Sequence, residues 1–140
     1  MHLVIDGHNG NSEILQNQTL IYKFLEELPN KIGMVKLIDP QVNKYKGKDS
    51  QDWGISGFVI IAESHISVHT FPSRKYINID VFSCKNFDVK KTISQVKSDF
   101  KLENIKYWTI DRGIYLTPQK ESDPIRPILS KNSKVAKNEI

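Results

Sequence analysis

The sequence contains a single cysteine, Cys84. A lone thiol excludes an intrachain disulfide framework and a zinc site made of several thiolates, and leaves a buried bystander or a reactive thiol. No apolar run is long enough to span a bilayer. The first residues carry neither the basic nor the apolar segment of a secretory signal, so we expect a cytoplasmic protein with no membrane partner.

The chain is also short, with 140 residues and a mass of 16.1 kDa. This length corresponds to about one ordinary domain and excludes a two-domain enzyme with a separate cofactor-binding half. Hydrophobic residues make up 39% of the chain and charged residues 26%, which is typical of a globular protein with a modest core. An active site must therefore be compact or shared between subunits.

Positive charge is only in modest excess, with a net charge of +4. Five basic and three acidic residues lie in the tail that begins at Pro118, so half of this excess belongs to the tail. The remainder is a weak basis for nucleic-acid binding, and we expect no such partner. We predict one domain over residues 1–117 and a basic, flexible tail over residues 118–140.

The hydrophobic pattern alternates between strands and helices. Helical spacing begins at Gln18 and is stopped by Pro29 and Gly33, and a second helix follows Asp88, whose carboxylate can cap it. Segments with strand character are Leu3–Asp6, Val35–Ile38, Phe58–Ala62, Ser64–Phe71, Tyr76–Cys84, Ile105–Ile110 and Ile114–Leu116. The pattern predicts an α+β fold, a two-layer sandwich of a mainly antiparallel sheet with two helices on one face.

One of these strands and one loop have further predicted features. Phe58–Ala62 is continuously apolar, which is typical of a strand covered on both faces. Lys44–Asp52 contains Gly47 and five charged residues, and we predict a polar loop there.

A turn at Pro72–Lys75 joins two strictly alternating strands and predicts a hairpin. If Phe71 pairs with Tyr76, the paired residue numbers sum to 147, and Glu63 lies opposite Cys84. This register keeps one face apolar and the other polar. The polar face collects His65, His69, Asp80 and Cys84.

The residue types alone leave three interpretations of this polar face open. It can be a solvated surface with Cys84 as a small core residue. A metal site from Glu63, His65, His69 and Cys84 is disfavoured, because the two histidines lie about 13 Å apart along a strand. A hydrolase with Ser64 as nucleophile lacks the Gly-x-Ser-x-Gly elbow.

Three blocks of sequence together form a specific signature. They are Gly54-Ile55-Ser56-Gly57, Glu63-Ser64-His65-Ile66-Ser67-Val68-His69-Thr70-Phe71-Pro72 and Asp80-Val81-Phe82-Ser83-Cys84. The chain closely resembles the prokaryotic S-adenosylmethionine decarboxylase proenzyme family in these blocks. The similarity extends from His2 to about Leu116 and leaves the basic tail outside.

The resemblance implies an enzyme that makes its own pyruvoyl group. By analogy, the Ser64 hydroxyl attacks the Glu63 carbonyl, the chain is cut between these residues, and Ser64 becomes the pyruvoyl group, so no exogenous cofactor is required. That group would form a Schiff base with a small amino-acid substrate and accept electrons as CO2 leaves. The implied activity, S-adenosylmethionine decarboxylation, makes the aminopropyl donor for spermidine and other polyamines.

The resemblance also implies roles for individual residues. His69 is the base that drives the elimination during processing, Ser56 assists processing, and Cys84 protonates the substrate carbon after decarboxylation. The family shares its sites across a homodimer, with Ser64 and Cys84 from one subunit and His69 and Ser56 from the other. Strand geometry agrees, because Ser64 and His69 would lie about 16 Å apart on a straight strand unless that strand bends sharply.

Two departures from the family pattern concern the substrate. The family has a Glu after its aromatic-Pro pair that contacts the ribose hydroxyls, whereas Phe71-Pro72 is followed here by Ser73. The loop before Gly54 also lacks the aromatic side chain that stacks on adenine, and only Trp53 can replace it.

Alternative activities therefore stay open. Relatives with the same machinery decarboxylate L-ornithine or L-arginine, and Asp49 or Asp52 can bind the cationic end of such a substrate. These two acids equally fit an ordinary solvated loop. An inactive regulatory paralogue is a further alternative, although a full set of processing residues argues against it. That set is Ser56, Glu63, Ser64, His69 and Cys84.

Overall fold

The fold is built on one antiparallel sheet. The computed structural model describes residues 1–111 and the backbone of residues 136–139. Within these residues seven strands follow the spatial order β2-β3-β4-β5-β1-β6-β7. They are β1 (His2–His8), β2 (Gln41–Lys46), β3 (Trp53–Ile61), β4 (Ser64–Phe71), β5 (Tyr76–Ser83), β6 (Asn104–Ile110) and β7 (Ala136–Glu139).

Most of the predicted strands are confirmed, and the sheet is antiparallel at every pairing of these strands. Strand β7 lies within the predicted tail and pairs with β6. The rest of the tail and the predicted strand Ile114–Leu116 lie outside the described residues.

Both predicted helices are confirmed, as α2 (Gln18–Lys31) and α3 (Val89–Phe100), and a four-residue helix, α1 (Ser12–Leu15), precedes them. Asp88 caps the start of helix α3, since its side chain accepts a hydrogen bond from the Lys91 N–H at 2.9 Å. The two long helices meet through Phe24 and Phe100, with ring centroids 4.8 Å apart. None of the described helices is long and apolar enough to cross a membrane.

The core lies between these helices and one face of the sheet. Strands β1, β4 and β5 bury every second residue, because successive side chains of a strand point to opposite faces. The large apolar side chains that these strands bury are Leu3, Ile5, Ile66, Val68, Ile77, Ile79 and Val81, all fully inaccessible to solvent. They form one cluster with the apolar faces of α2 and α3, which confirms the α+β two-layer sandwich.

We call the sheet face that the described helices leave uncovered the open face. Cross-strand pairing arranges its residues in rows. One row is Ser56, His69, Asn78, Asp6 and Lys106; the next is Phe58, Ser67, Asp80, Val4 and Trp108; a third is Ile60, His65, Phe82, His2 and Ile110.

The predicted hairpin register is confirmed. Strands β4 and β5 pair from Phe71↔Tyr76 to Ser64↔Ser83, so that every pair of residue numbers sums to 147. One step further, the Cys84 N–H donates to the Glu63 carbonyl at 2.9 Å. The lone thiol therefore lies at the Glu63-Ser64 bond.

The prediction of a strand at Val35–Ile38 is wrong. That segment makes only one isolated bridge, between Lys36 and Ile61. The strand beside β3 is β2, which includes the first three residues of the predicted polar loop. The error has a physical cause, since β2 is an exposed edge strand with mostly polar side chains and shows no apolar alternation.

The prediction that Phe58–Ala62 is covered on both faces is also wrong. Phe58 is 42% exposed and Ile60 is 40% exposed, because both point to the open face. Val35 and Leu37, each 59% exposed, lie beside them, and the Leu37 N–H donates to the Ile60 carbonyl at 3.0 Å. These four side chains form an apolar patch at the edge of the open face.

Candidate active site

The first group of candidate residues lies where β3 turns into β4. The Glu63 carbonyl oxygen accepts hydrogen bonds from the Cys84 backbone N–H at 2.9 Å and from the Cys84 thiol at 3.0 Å. The Ser64 hydroxyl oxygen is 3.7 Å from the same sulfur. We call Glu63, Ser64 and Cys84 the junction cluster. It combines a hydroxyl, the adjacent peptide carbonyl and two donors to that carbonyl.

The backbone of Ser64 is strained, with φ of +152°. This region is normally occupied by glycine, and another residue there costs about 1–3 kcal/mol. A two-residue hairpin turn normally uses residues with positive φ, such as Gly or Asn. Here Ala62 and Glu63 form the turn without positive φ, and the residue with positive φ is Ser64, which follows them. Strand alternation alone would place Ser64 on the buried face, yet its hydroxyl lies beside Cys84.

The second group is centred on His69, which lies opposite Ser56 on the open face. The His69 Nδ1 and the Ser56 hydroxyl are 2.9 Å apart. The glycines that flank Ser56 are required by packing, since a Cβ at Gly54 would overlap the Thr70 carbonyl, and one at Gly57 would lie 2.8 Å from Leu25 of α2. We call Ser56 and His69 the histidine pair.

The junction cluster and the histidine pair lie at opposite ends of β4. All eight residues of β4 stay in register with β5, so the strand makes no sharp bend. Five residues of extended strand separate Ser64 from His69 by about 16 Å. One chain therefore does not bring His69 to its own Ser64.

Three residues that we expect to contact the substrate lie at the end of β4 where the histidine pair is. They are Trp53, Phe71 and Ser73. The Trp53 indole N–H donates to the Ser73 hydroxyl at 2.8 Å, and the Lys44 ammonium is 5.1 Å from the Trp53 ring centroid. The Phe71 ring is 5.7 Å from the ring of Tyr76.

The two loop acids have partners in the loop itself and in the adjoining strand β2. The Asp49 carboxylate accepts from the Gln51 N–H at 3.0 Å, as in an Asx turn. The Tyr45 hydroxyl is 3.4 Å from the Asp52 carboxylate. These contacts fit an ordinary loop as well as a binding role.

A polar cluster beside the histidine pair was missed in the sequence. The Asn78 amide donates to Asp6 Oδ1 at 2.7 Å and to the Tyr76 hydroxyl at 2.7 Å. Burial raises the pKa of Tyr76; the hydrogen bond with Asn78 lowers it, and Asp6 raises it further. The hairpin register predicts that Asn78 lies opposite His69, but no local pattern shows that β1, which carries Asp6, inserts beside β5.

The other histidines of the open face make local contacts. The His65 ring packs 5.5 Å from the Phe82 ring, and the His2 Nε2 is 2.9 Å from the Asp80 carboxylate. Among the residues that the structure describes, no three His, Cys, Asp or Glu side chains converge in a way that could hold a metal ion.

Comparison with known proteins was consistent in sequence and in fold. The family model described as S-adenosylmethionine decarboxylase matches residues 1–113. The S-adenosylmethionine decarboxylase proenzyme of Clostridium botulinum strain Hall is 34% identical over 113 residues, which is 80% of this chain and 92% of that protein. The proenzyme of Archaeoglobus fulgidus is 28% identical over 115 residues, covering 80% and 96%.

The fold is also similar to a solved structure. The crystal structure of the adenosylmethionine decarboxylase from Aquifex aeolicus has a TM-score of 0.67 and 22% identity, and the match covers 88% of this chain and 95% of that one. This likeness concerns the fold, while the family model and the bacterial relative carry the assignment. The chain therefore belongs to the S-adenosylmethionine decarboxylase family.

Proposed function

We propose that this chain is the proenzyme of a pyruvoyl-dependent S-adenosylmethionine decarboxylase that cuts itself between Glu63 and Ser64. One observation carries the proposal: the Glu63 carbonyl oxygen accepts hydrogen bonds from the Cys84 N–H and thiol, and the neighbouring Ser64 has a strained backbone. Family membership supports the substrate. The products of the cut are residues 1–63 and residues 64–140.

The first step of processing converts the peptide into an ester. The Ser64 hydroxyl oxygen bonds to the Glu63 carbonyl carbon, the bond from that carbon to the Ser64 nitrogen breaks, and the hydroxyl proton ends on that nitrogen, which becomes a free amine. Negative charge develops on the Glu63 oxygen, which already accepts from the Cys84 N–H and thiol. Donors held in place at such an oxygen stabilise the transition state, and the strain at Ser64 is relieved as the peptide breaks.

The second step is an elimination. A base removes the proton on Ser64 Cα, the Cβ–Oγ bond breaks, and Glu63 leaves as a carboxylate. Water then releases the Ser64 nitrogen as ammonia, and a pyruvoyl group remains. His69 is the proposed base, and its Nε2 is the available atom because Nδ1 bonds with Ser56.

Decarboxylation then uses the same cluster. The pyruvoyl group supplies the electron sink for the loss of CO2. Cys84 lies next to the Ser64 position, with its sulfur 3.7 Å from the Ser64 hydroxyl, where a thiol can return a proton to the substrate carbon. The binding of the rest of the substrate belongs to the residues around the histidine pair.

A homodimer with two shared sites is part of the proposal. Because about 16 Å separate His69 from Ser64 of the same chain, His69 must act on the Ser64 of a partner. The open face supports such pairing, since the patch of Val35, Leu37, Phe58 and Ile60 is apolar and exposed beside the junction cluster. A second copy packed on this face would cover the patch. It would also bring the Ser64 end of one β4 strand to the His69 end of the other.

Replacing Cys84 with Ala should slow self-cleavage by about 100-fold, because one of the two donors to the Glu63 oxygen is lost. The measurement is the fraction of uncut 16.1 kDa chain over time after synthesis, followed by intact mass. Cys84→Ser, which retains a donor, should cut faster than the Ala variant. Cleavage of the Ala variant at the wild-type rate would contradict the proposed role of the thiol.

The substrate is tested with a competition assay. Purified protein receives equal amounts of S-adenosylmethionine, L-ornithine and L-arginine, and the products are identified by mass spectrometry. We expect decarboxylated S-adenosylmethionine as the main product. Putrescine or agmatine as the main product would overturn the substrate assignment and leave the processing chemistry in place. An uncut protein without any product would indicate a regulatory paralogue.

A further inference from the structure

The segment that follows α2 lies against the junction cluster. The Val35 N–H donates to the Glu63 side-chain carboxylate at 3.3 Å, and the Ala62 N–H donates to the Val35 carbonyl at 2.8 Å. Two residues before Val35, the Gly33 carbonyl accepts a hydrogen bond from the Lys85 ammonium at 3.2 Å. This short segment therefore contacts one anionic and one cationic side chain at the junction.

Neither of these two charges is paired in the uncut chain. Among the residues that the structure describes, no salt bridge includes Lys85 or Glu63. Lys36, another cation of the segment, already pairs with Glu26 and with Asp39. Lys85 is exposed, and the four-carbon stem of a lysine lets its ammonium reach a new partner. Lys85 is thus a cation available for a further anion.

The proposed self-cleavage creates such an anion. Ordinary hydrolysis of a peptide bond leaves a carboxylate and an ammonium, which balance each other in charge. Here the Ser64 nitrogen is released as ammonia, so only the new carboxylate, at the C-terminus of Glu63, remains on the protein. The junction gains a negative charge without a new positive one. The side-chain carboxylate of the same Glu63 adds to the repulsion.

We propose that Lys85 is the counter-ion of the terminal carboxylate that self-cleavage creates at Glu63. This inference rests on the proposed function, because the carboxylate exists only after the cut. Lys85 directly follows Cys84, whose N–H and thiol hold the Glu63 oxygen that becomes part of this carboxylate. The Lys85 ammonium also contacts the segment that binds the Glu63 side chain. Both observations put the new carboxylate within reach of Lys85.

The ion pair would join the two chains that the cut produces. Glu63 ends the first chain, and Lys85 belongs to the second. The backbone of Lys85 is well fixed there, because its N–H donates to the Ser83 hydroxyl at 2.9 Å and its carbonyl accepts from the same hydroxyl at 2.8 Å. Ser83 itself is fully buried. Lys85 can therefore keep the new end of the first chain beside Cys84, where a free chain end would otherwise fray.

The test compares the effect of Lys85 with and without the cut. Lys85→Met removes the charge in the wild-type background and in Ser64→Ala, which stays uncut, and thermal unfolding is followed at one protein concentration. We expect Tm to fall by about 2–4 °C in the cut protein and by less than about 1 °C in the uncut one. About 1 M salt should abolish this difference. The control Lys90→Met, an exposed lysine on α3, should affect both backgrounds equally.

Trimming of the cut protein by a carboxypeptidase provides the second readout. Such an enzyme acts on a free terminal carboxylate, and an ion pair with Lys85 would protect the one at Glu63. By intact mass, Glu63 should be removed about 3- to 5-fold faster from Lys85→Met than from the wild type. Lys85→Arg keeps the positive charge and should behave like the wild type. Removal of Ile140, the end of the second chain, is the internal reference and should not change.

The two proposals fail in different ways. A wild-type chain that stays uncut by intact mass would remove the proposed function. If the wild type is cut but Lys85→Met lowers Tm equally in both backgrounds, Lys85 only supports the Gly33 carbonyl, and its role as counter-ion is overturned. Unchanged trimming of Glu63 would overturn it too. A Lys85→Met chain that stays uncut would do the same, since Lys85 would then act before the carboxylate exists.

Discussion

A Ser64→Ala protein should remain a single chain of 16.1 kDa and lose decarboxylase activity by a factor on the order of 10⁴ or more. The substitution removes the oxygen that attacks the Glu63 carbonyl, so neither the ester nor the pyruvoyl group can form. Intact mass and release of CO2 from S-adenosylmethionine measure the two effects.

Ser67 offers a matched control for this variant. It lies on the same strand as Ser64 but on the open face, opposite Asp80 and outside the junction cluster. Ser67→Ala should be cut and active like the wild type. If Ser64→Ala were cut between the same residues, a different nucleophile would be responsible, and self-cleavage by Ser64 would be disproved.

Co-expression of Ser64→Ala and His69→Ala chains should restore activity that neither variant has alone. In a mixed dimer, the intact Ser64 of one chain faces the intact His69 of the other, and one of the two sites is complete. With random pairing, about a quarter of the wild-type number of sites is recovered. Only the His69→Ala chains should be cut, which intact mass distinguishes.

The control for this experiment pairs two defects in the same half of the site. Ser64 and Cys84 belong to one junction cluster, with hydroxyl and sulfur 3.7 Å apart. Mixed dimers of Ser64→Ala and Cys84→Ala therefore contain no complete site, and the Cys84→Ala chains should be cut no faster than when expressed alone. Normal self-cleavage of His69→Ala expressed alone would contradict the role of His69, and a lack of restored activity on co-expression of Ser64→Ala with His69→Ala would contradict the shared site.

Local patterns in the sequence were sufficient for the hairpin and for the helices. The alternation in β4 and β5 and the turn at Pro72–Lys75 predicted the register that places Cys84 at the Glu63 carbonyl. Helical spacing and the Asp88 cap predicted α2 and α3. These features depend on residues close in sequence, and such features can be deduced without knowledge of the rest of the fold.

The edge strand β2 and the exposure of the apolar run in β3 could not be deduced from local patterns. Strand β2 was missed because an exposed edge strand has no apolar alternation, and its pairing partner is identified only in the sheet. The exposure of Phe58 and Ile60 depends on which face the helices cover. A continuous apolar run has the same appearance whether both faces are covered or only one is.

The sequence by itself determined the set of chemical groups, Ser56, Glu63, Ser64, His69 and Cys84, and the local pairing of Glu63 with Cys84. Only the tertiary structure decided that β4 is straight and that Ser64 carries the strain of the turn. It also decided that β1 inserts beside β5 and brings Asp6 to Asn78. Contacts between strands distant in sequence depend on the order of the whole sheet, which no local pattern encodes.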